Sequence, residues 1–136
     1  MKENAVSFLE TDSDLSEFDH VIRALRELRV PQALPEAELH RMVLERLDAE
    51  KIAYRNEAVL GPRRRIDILT DNGVGIELKI GRPDRKKLHR QLESYAASEK
   101  VRFLVVVIQK SVALSSVIGG KPCETVVLNK LWGIAL

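Results

Sequence analysis

Three residues in the stretch RIDILTDNGVGIELKIG, residues 65–81, could do chemistry together. Asp67 precedes a DNG turn, and Glu77 and Lys79 follow it on what reads as the next strand. Two carboxylates side by side repel and cost stability unless a cation sits between them. Oxygen donors from two acids, completed by water, match Mg2+. An ion held there acidifies a water and stabilises charge on a phosphate. Lys79 reaches the same spot and could orient the attacking water or stabilise the pentavalent phosphorus. The competing reading of the same residues is a set of salt bridges on a half-exposed sheet.

Whether Asp67 meets Glu77 depends on the parity of the turn, because residues directly opposite in an antiparallel pair share a face. A two-residue loop, Asn72-Gly73, opposes Asp67 to Leu78 and puts a carboxylate on the apolar face. A three-residue loop, Asp71-Asn72-Gly73, opposes Asp67 to Glu77. The DNG sequence suits the latter, a type I turn ending in a glycine with positive φ, so the three-residue loop is expected. Alternation then puts Val74, Ile76, Leu78 and Ile80 on one face and Gly75, Glu77 and Lys79 on the other. Ile66 and Ile68 face away from Asp67.

The elements that must hold this hairpin are readable from periodicity. Residues 12–29 place Leu15, Phe18, Ile22, Leu25 and Leu28 at helical spacing, with Asp12 or Ser13 as cap and Pro31 as terminator. A second helix starts near Pro35 and runs to about Lys51 on a stripe of Leu39, Met42, Val43 and Leu47. IAYRNEAVL reads as a first strand, with Tyr54 on one face and Arg55 and Glu57 on the other. Residues 83–98 form a third helix whose inner side carries Leu88, Leu92 and Tyr95. RFLVVVIQ is a near-continuous apolar run, typical of a central strand covered on both faces. A short helix around 111–118, a GG break and one or two strands in ETVVLNKLWGIAL close the chain. The strands flanking the third helix should be parallel, joined by a right-handed crossover. The expected class is α/β, a mixed sheet flanked by helices.

Two polar positions stand out on the helices. Gln91 sits among Leu88, Leu92 and Tyr95, and a Gln on that side needs a polar partner, in the site or on a nearby backbone group. Glu38 and Glu45 flank the stripe of the second helix. Either could reach the cluster or merely be solvated, and Glu38 is preferred.

Together these residues resemble the PD-(D/E)XK phosphodiesterase superfamily, which includes type II restriction enzymes, Holliday-junction resolvases and the nuclease domains of recombination helicase–nucleases. RIDIL with Asp67 and IELKI with Glu77 and Lys79 are similar to its central motif, although Ile66 stands where the motif has Pro. PEAELH, with Glu38, resembles the leading helix; RQLESY, with Gln91 and Tyr95, resembles the following helix of the recombination-nuclease and phage-type branch. The resemblance covers about residues 35–109. It implies a restriction-endonuclease-like fold with an αβββαβ core, a bacterial or phage setting in DNA repair or recombination, and metal-dependent hydrolysis of nucleic-acid phosphodiesters. In that scheme Asp67, Glu77 and the backbone carbonyl of Leu78 bind Mg2+, or Mn2+ in its place. Lys79 assists the nucleophilic water, Gln91 and Glu38 act beside them, and Tyr95 supports the site.

The whole-chain totals agree with a nucleic-acid partner without requiring one. At 136 residues and 45% hydrophobic, one domain with its own core is expected, and one cysteine, Cys123, excludes an intrachain disulfide and disfavours zinc. No signal peptide or membrane span is read, so a cytoplasmic protein is expected. Net charge is +2, but residues 1–20 carry one Lys against six acids, leaving +7 for the remainder. Residues 1–33 are therefore set apart as an acidic helical extension, and 34–136 as the nuclease-like domain. Arg63, Arg64 and Arg65, and Arg82, Arg85, Lys86, Lys87 and Arg90, bracket the three chemical residues in sequence. They are expected to grip phosphates without reading bases, helped by the N-terminus of the third helix. The expected substrate is DNA, cut with low sequence specificity. A non-cutting nucleic-acid-binding module and a protein-interaction adaptor of the same fold are the alternatives. The acidic extension is expected to overlie the basic groove, join two subunits in a homodimer, or bind a protein partner.

Overall fold

The computed structural model describes residues 15–130. Within them lie three helices and eight strands. Helix α1 spans 15–26. It is followed by β1 (Arg29–Val30), α2 (Glu36–Ala49), β2 (Tyr54–Gly61), β3 (Arg64–Thr70), β4 (Val74–Lys79), α3 (Arg85–Ala96), β5 (Phe103–Ile108), β6 (Val117–Ile118), β7 (Lys121–Val127) and β8 (Asn129–Lys130). The caps proposed at Asp12 and Ser13, and the closing segment after Lys130, lie outside the described residues.

Six strands form one mixed sheet in the order β2-β3-β4-β5-β7-β6. Strands β2, β3 and β4 are antiparallel neighbours; β4, β5 and β7 run parallel, with α3 between β4 and β5. The stretch from α2 to β5 thus has the element order αβββαβ. Strand β5 is buried along its whole length, as its unbroken apolar run predicts. Its side chains alternate between two cores: Phe103, Val105 and Val107 join α1 and α2, while Leu104, Val106 and Ile108 join α3.

Helices α1 and α2 pack on one face. Phe18, Val21, Ile22, Leu25 and Leu28 meet Leu39, Val43 and Leu47 over Val74, Ile76 and Leu78 of β4. Phe18 stacks on Phe103, with ring centroids 4.7 Å apart. Packing is therefore continuous across residue 33, and α1 is built into the core that the second helix and the sheet share. Leu15, at the end of the stripe, stays 42% exposed. The helix also stops at residue 26, before the expected 29. Glu27 N–H and Leu28 N–H bond the carbonyls of Ala24 and Leu25, tightening the last turn, and Arg29–Val30 then pairs with β8 as a short parallel strand. Helix α2 closes as Ile52 N–H bonds Leu47 O and Lys51 N–H bonds Asp48 O, with Lys51 at φ 59°. This is the paired arrangement that satisfies terminal helix carbonyls.

Two local expectations are corrected. Residues 111–116 are not helical; Val112 and Leu114 instead lay alternate side chains on the α3-side core, and β6 follows. The Ser115 hydroxyl there bonds the backbone of Val117, the kind of local competition that disfavours a helix. Ile66 and Ile68 do not share a face either: Ile68 packs with α1 and α2, Ile66 with α3. The alternation breaks where β2 and β3 skip a pairing between Asn56↔Ile68 and Ala58↔Ile66, at Glu57 with its φ of 53°.

Candidate active site

Strands β3 and β4 pair through Leu69↔Gly75 and Ile68↔Ile76. This register leaves Asp71-Asn72-Gly73 as a three-residue turn; extended one step it sets Asp67 across from Glu77, where the paired ladder stops. Gly73 N–H bonds Thr70 O at 3.0 Å, and Gly73 takes φ 87°. A side chain there would also strike Arg102, whose Cγ would lie 2.7 Å from the added carbon. Glycine is required on both counts.

At Asp67 and Glu77 side-chain carboxylates enter the ladder. Leu78 N–H donates to Asp67 Oδ2 at 2.8 Å, and Glu77 Oε1 lies 3.5 Å from Asp67 N. A residue in an antiparallel strand presents its N–H and its carbonyl on the same edge. The Leu78 carbonyl therefore faces β3 beside Asp67, whereas the Lys79 carbonyl turns to the other side and accepts from Gln109 N–H. Leu78's side chain meanwhile fills the α1/α2 core.

Glu77 is 4% exposed. Burial, and then the charge of Asp67, raise its pKa from 4.5 to about 7; Lys79 opposes the shift. The Lys79 ammonium lies 3.4 Å from Glu77 Oε2. Glu77 thus sits between a second acid, Asp67, and one ammonium, Lys79, a net negative charge that burial makes costly and that a bound cation would offset. Among the described residues no group of three or more His, Cys, Asp or Glu side chains converges. The donor set is two carboxylates and a carbonyl edge, hard oxygens that with water suit Mg2+ or Mn2+.

Helix α3 covers this face. Gln91 Nε2 donates to Tyr95 Oη at 2.9 Å, and Tyr95 Oη donates to the Arg65 carbonyl at 3.1 Å. Gln91 thus finds its polar partner in a side chain, and the relay pins α3 to the strand two residues before Asp67. Burial, Glu77 and Asp67 together push the Tyr95 hydroxyl well above its ordinary pKa, keeping it a donor. A cleft of about 390 Å³ opens next to Lys79, lined by Pro83, Asp84, Lys87, Leu88 and Gln91.

Not every expected residue joins. Glu38 pairs with Arg41, which also holds Glu45, on a helix that packs against the opposite face of the sheet. That bond lowers the Glu38 pKa. Arg64 donates to the Ser94 carbonyl at 2.9 Å and so ties β3 to α3. Arg63 and Arg65 are exposed in and beside the β2–β3 turn, and Arg82, Arg85, Lys86, Lys87 and Arg90 are exposed on and before α3. The N-terminus of α3 is already filled: Asp84 accepts from Lys86 N–H and Lys87 N–H at 3.0 and 3.1 Å. A phosphate on this face would meet side chains before it met helix amides. An Asp immediately before a helix is a cap signal, and PDRK carries it in the sequence.

No helix among the described residues is long and apolar enough to cross a membrane. Compared with protein-family models, with curated proteins and with solved structures, the chain matches none.

Proposed function

We propose that this chain is a divalent-metal-dependent nuclease of the PD-(D/E)XK type, hydrolysing phosphodiester bonds of DNA with low sequence specificity. The observation that carries the reading is the meeting of Asp67, a buried Glu77 and Lys79 at the point where carboxylates enter the β3–β4 ladder. Asp67, Glu77 and the Leu78 carbonyl would hold Mg2+, with Mn2+ as substitute. A bound ion supplies positive charge to the phosphoryl oxygens and acidifies the attacking water.

The chain's own groups do the rest. Lys79 orients the water and donates to charge developing on phosphorus-bound oxygen. Attack forms one P–O bond as the opposite P–O bond breaks, and the departing oxygen takes a proton from solvent. Gln91 and Tyr95 position the strand that carries Asp67 through the Arg65 carbonyl. The exposed arginines and lysines on α3 and the β2–β3 turn hold the flanking backbone by charge, a mode that reads no bases.

The test is incubation of supercoiled plasmid and of single-stranded DNA with Mg2+ or Mn2+, using wild type and Lys79→Ala. Metal-dependent cutting that disappears in the variant is the expected result. A second reading, a binding module of the same architecture that does not cut, is favoured by the pairing of Glu38 with Arg41 away from the site. Retarded migration with intact DNA in every metal would select it and sink the nuclease reading.

A further inference from the structure

Glu17, on α1, touches the turn of the chemical hairpin from more than fifty residues away. Its Oε2 accepts from the Thr70 hydroxyl at 2.7 Å and from Asn72 N–H at 3.2 Å; its Oε1 accepts from Asn72 Nδ2 at 3.1 Å. The Thr70 hydroxyl oxygen in turn accepts from Val74 N–H at 2.9 Å, so the contact spans both sides of the loop. Phe18, the next residue, is stacked on Phe103 in the core, which fixes where Glu17 can reach.

This contact falls where the hairpin has a choice. Asn-Gly is the strongest signal for a two-residue type I′ loop, in which both residues take positive φ. That loop would slide β3 by one residue against β4, oppose Asp67 to Leu78, and separate the two acids across the sheet. The observed loop keeps Asn72 out of the positive-φ region and reserves it for Gly73. The β4 side of the turn is held independently, since the Gly73 carbonyl accepts from Arg102 N–H and Phe103 N–H. Glu17 holds the β3 side, through Thr70 and Asn72.

We infer that Glu17 is a positioning residue that selects the three-residue turn and thereby the register that brings Asp67 opposite Glu77. The inference rests on the nuclease reading for its consequence in function, but the register itself can be read without metal or DNA.

The experiment uses the full chain as wild type, Glu17→Ala and Glu17→Ala/Asn72→Ala, at a temperature where circular dichroism shows each folded. An alanine at 72 resists the positive φ of the type I′ loop, so it restores the turn preference by a different route. Two quantities are read: the cross-strand Hα–Hα nuclear Overhauser contact between Leu69 and Gly75 in metal-free protein, and the Kd for Mn2+. In the native register Leu69 and Gly75 are opposed; the two-residue loop opposes Thr70 to Gly75 instead. Glu17→Ala is expected to lose the Leu69–Gly75 contact in most molecules. If the native register falls to about a tenth of molecules, the apparent Kd rises about tenfold. The double variant recovers both. A helix contact that merely adds stability would leave the Leu69–Gly75 contact and the Kd of the folded protein unchanged, and would not be rescued by deleting another of Glu17's partners; either result overturns the inference. Should Glu17→Ala not fold, a folded double variant supports the inference and an unfolded one overturns it. Wild type that shows the Leu69–Gly75 contact yet binds no Mn2+ sinks the metal reading and leaves register selection standing.

Discussion

Replacing Glu77 by Gln tests whether the site is built at the expense of stability. In the fold the Glu77 carboxyl has a pKa of about 7 in place of 4.5, and its side chain is 5% exposed. At about 1.4 kcal/mol per pH unit, ionising it within the fold costs about 3 kcal/mol more than ionising it in the unfolded chain. The folded pKa is the higher one. The stabilising contribution of the protonated form is therefore complete below pH 4.5 and lost as pH rises through 7. Glu77→Gln keeps the shape and removes the charge. Its effect includes the loss of the Lys79 pair, because that attraction is already counted in the net pKa. In EDTA the variant should match wild type near pH 4.5 and exceed it by about 3 kcal/mol at pH 8. Urea denaturation followed by circular dichroism reads this directly: with m of about 1–3 kcal/mol per M, the midpoint moves by about 1–3 M. Mn2+ should then invert the order at pH 8. A ligand at about 1,000 times its Kd stabilises by about 4.1 kcal/mol, more than the variant's advantage of about 3 kcal/mol, and only wild type offers both carboxylates. Equal midpoints at pH 8 without metal, or an equal response of both proteins to Mn2+, would refute the assignment of a strained, cation-seeking acid pair.

Two further outcomes follow from the surrounding side chains. Tyr95→Phe removes the donor to the Arg65 carbonyl and the acceptor for Gln91; it should cost about 1–3 kcal/mol in urea denaturation and lower cutting without altering DNA affinity in EDTA. Reversing Lys86 and Arg90 to Glu should weaken DNA binding and flatten its dependence on salt by about 0.9 in log–log slope for each phosphate left without a cation. Arg64→Ala, whose guanidinium is committed to Ser94, should instead lower stability and leave the slope unchanged, as gel retardation at several salt concentrations would show.

The uneven charge of the chain takes on a different meaning once Glu17 is placed. An acidic leader laid over basic residues is one way to use such charge. Glu17 instead places its carboxylate on the Thr70 hydroxyl and two amide groups of Asn72. At the start of α3, Asp84 satisfies the backbone amides of Lys86 and Lys87 and leaves their side chains exposed. What is left for a polyanion is the set of exposed side chains around the cleft by Lys79.

Much of the hairpin was legible in the sequence. The parity of DNG, the alternation of Val74, Ile76 and Leu78 against Glu77 and Lys79, and the unbroken apolar run of β5 all express short-range rules. Backbone sterics, glycine's access to positive φ and the two-residue period of a strand act within a few residues, so they can be read without knowing what lies across the molecule. The pairing of Glu38 with Arg41 was legible on the same grounds, as neighbours three apart on a helix. Other features were settled only by folding. Glu17 meets Thr70, Arg64 meets Ser94, and Ile66 and Ile68 part to opposite cores. The raised pKa of Glu77 belongs here too, since it comes from the α3 face closing over a carboxyl that would titrate normally in water. Each depends on which surfaces the chain buries against one another. A side chain's partner and its dielectric surroundings are properties of the neighbours that burial brings, and those neighbours are distant in sequence.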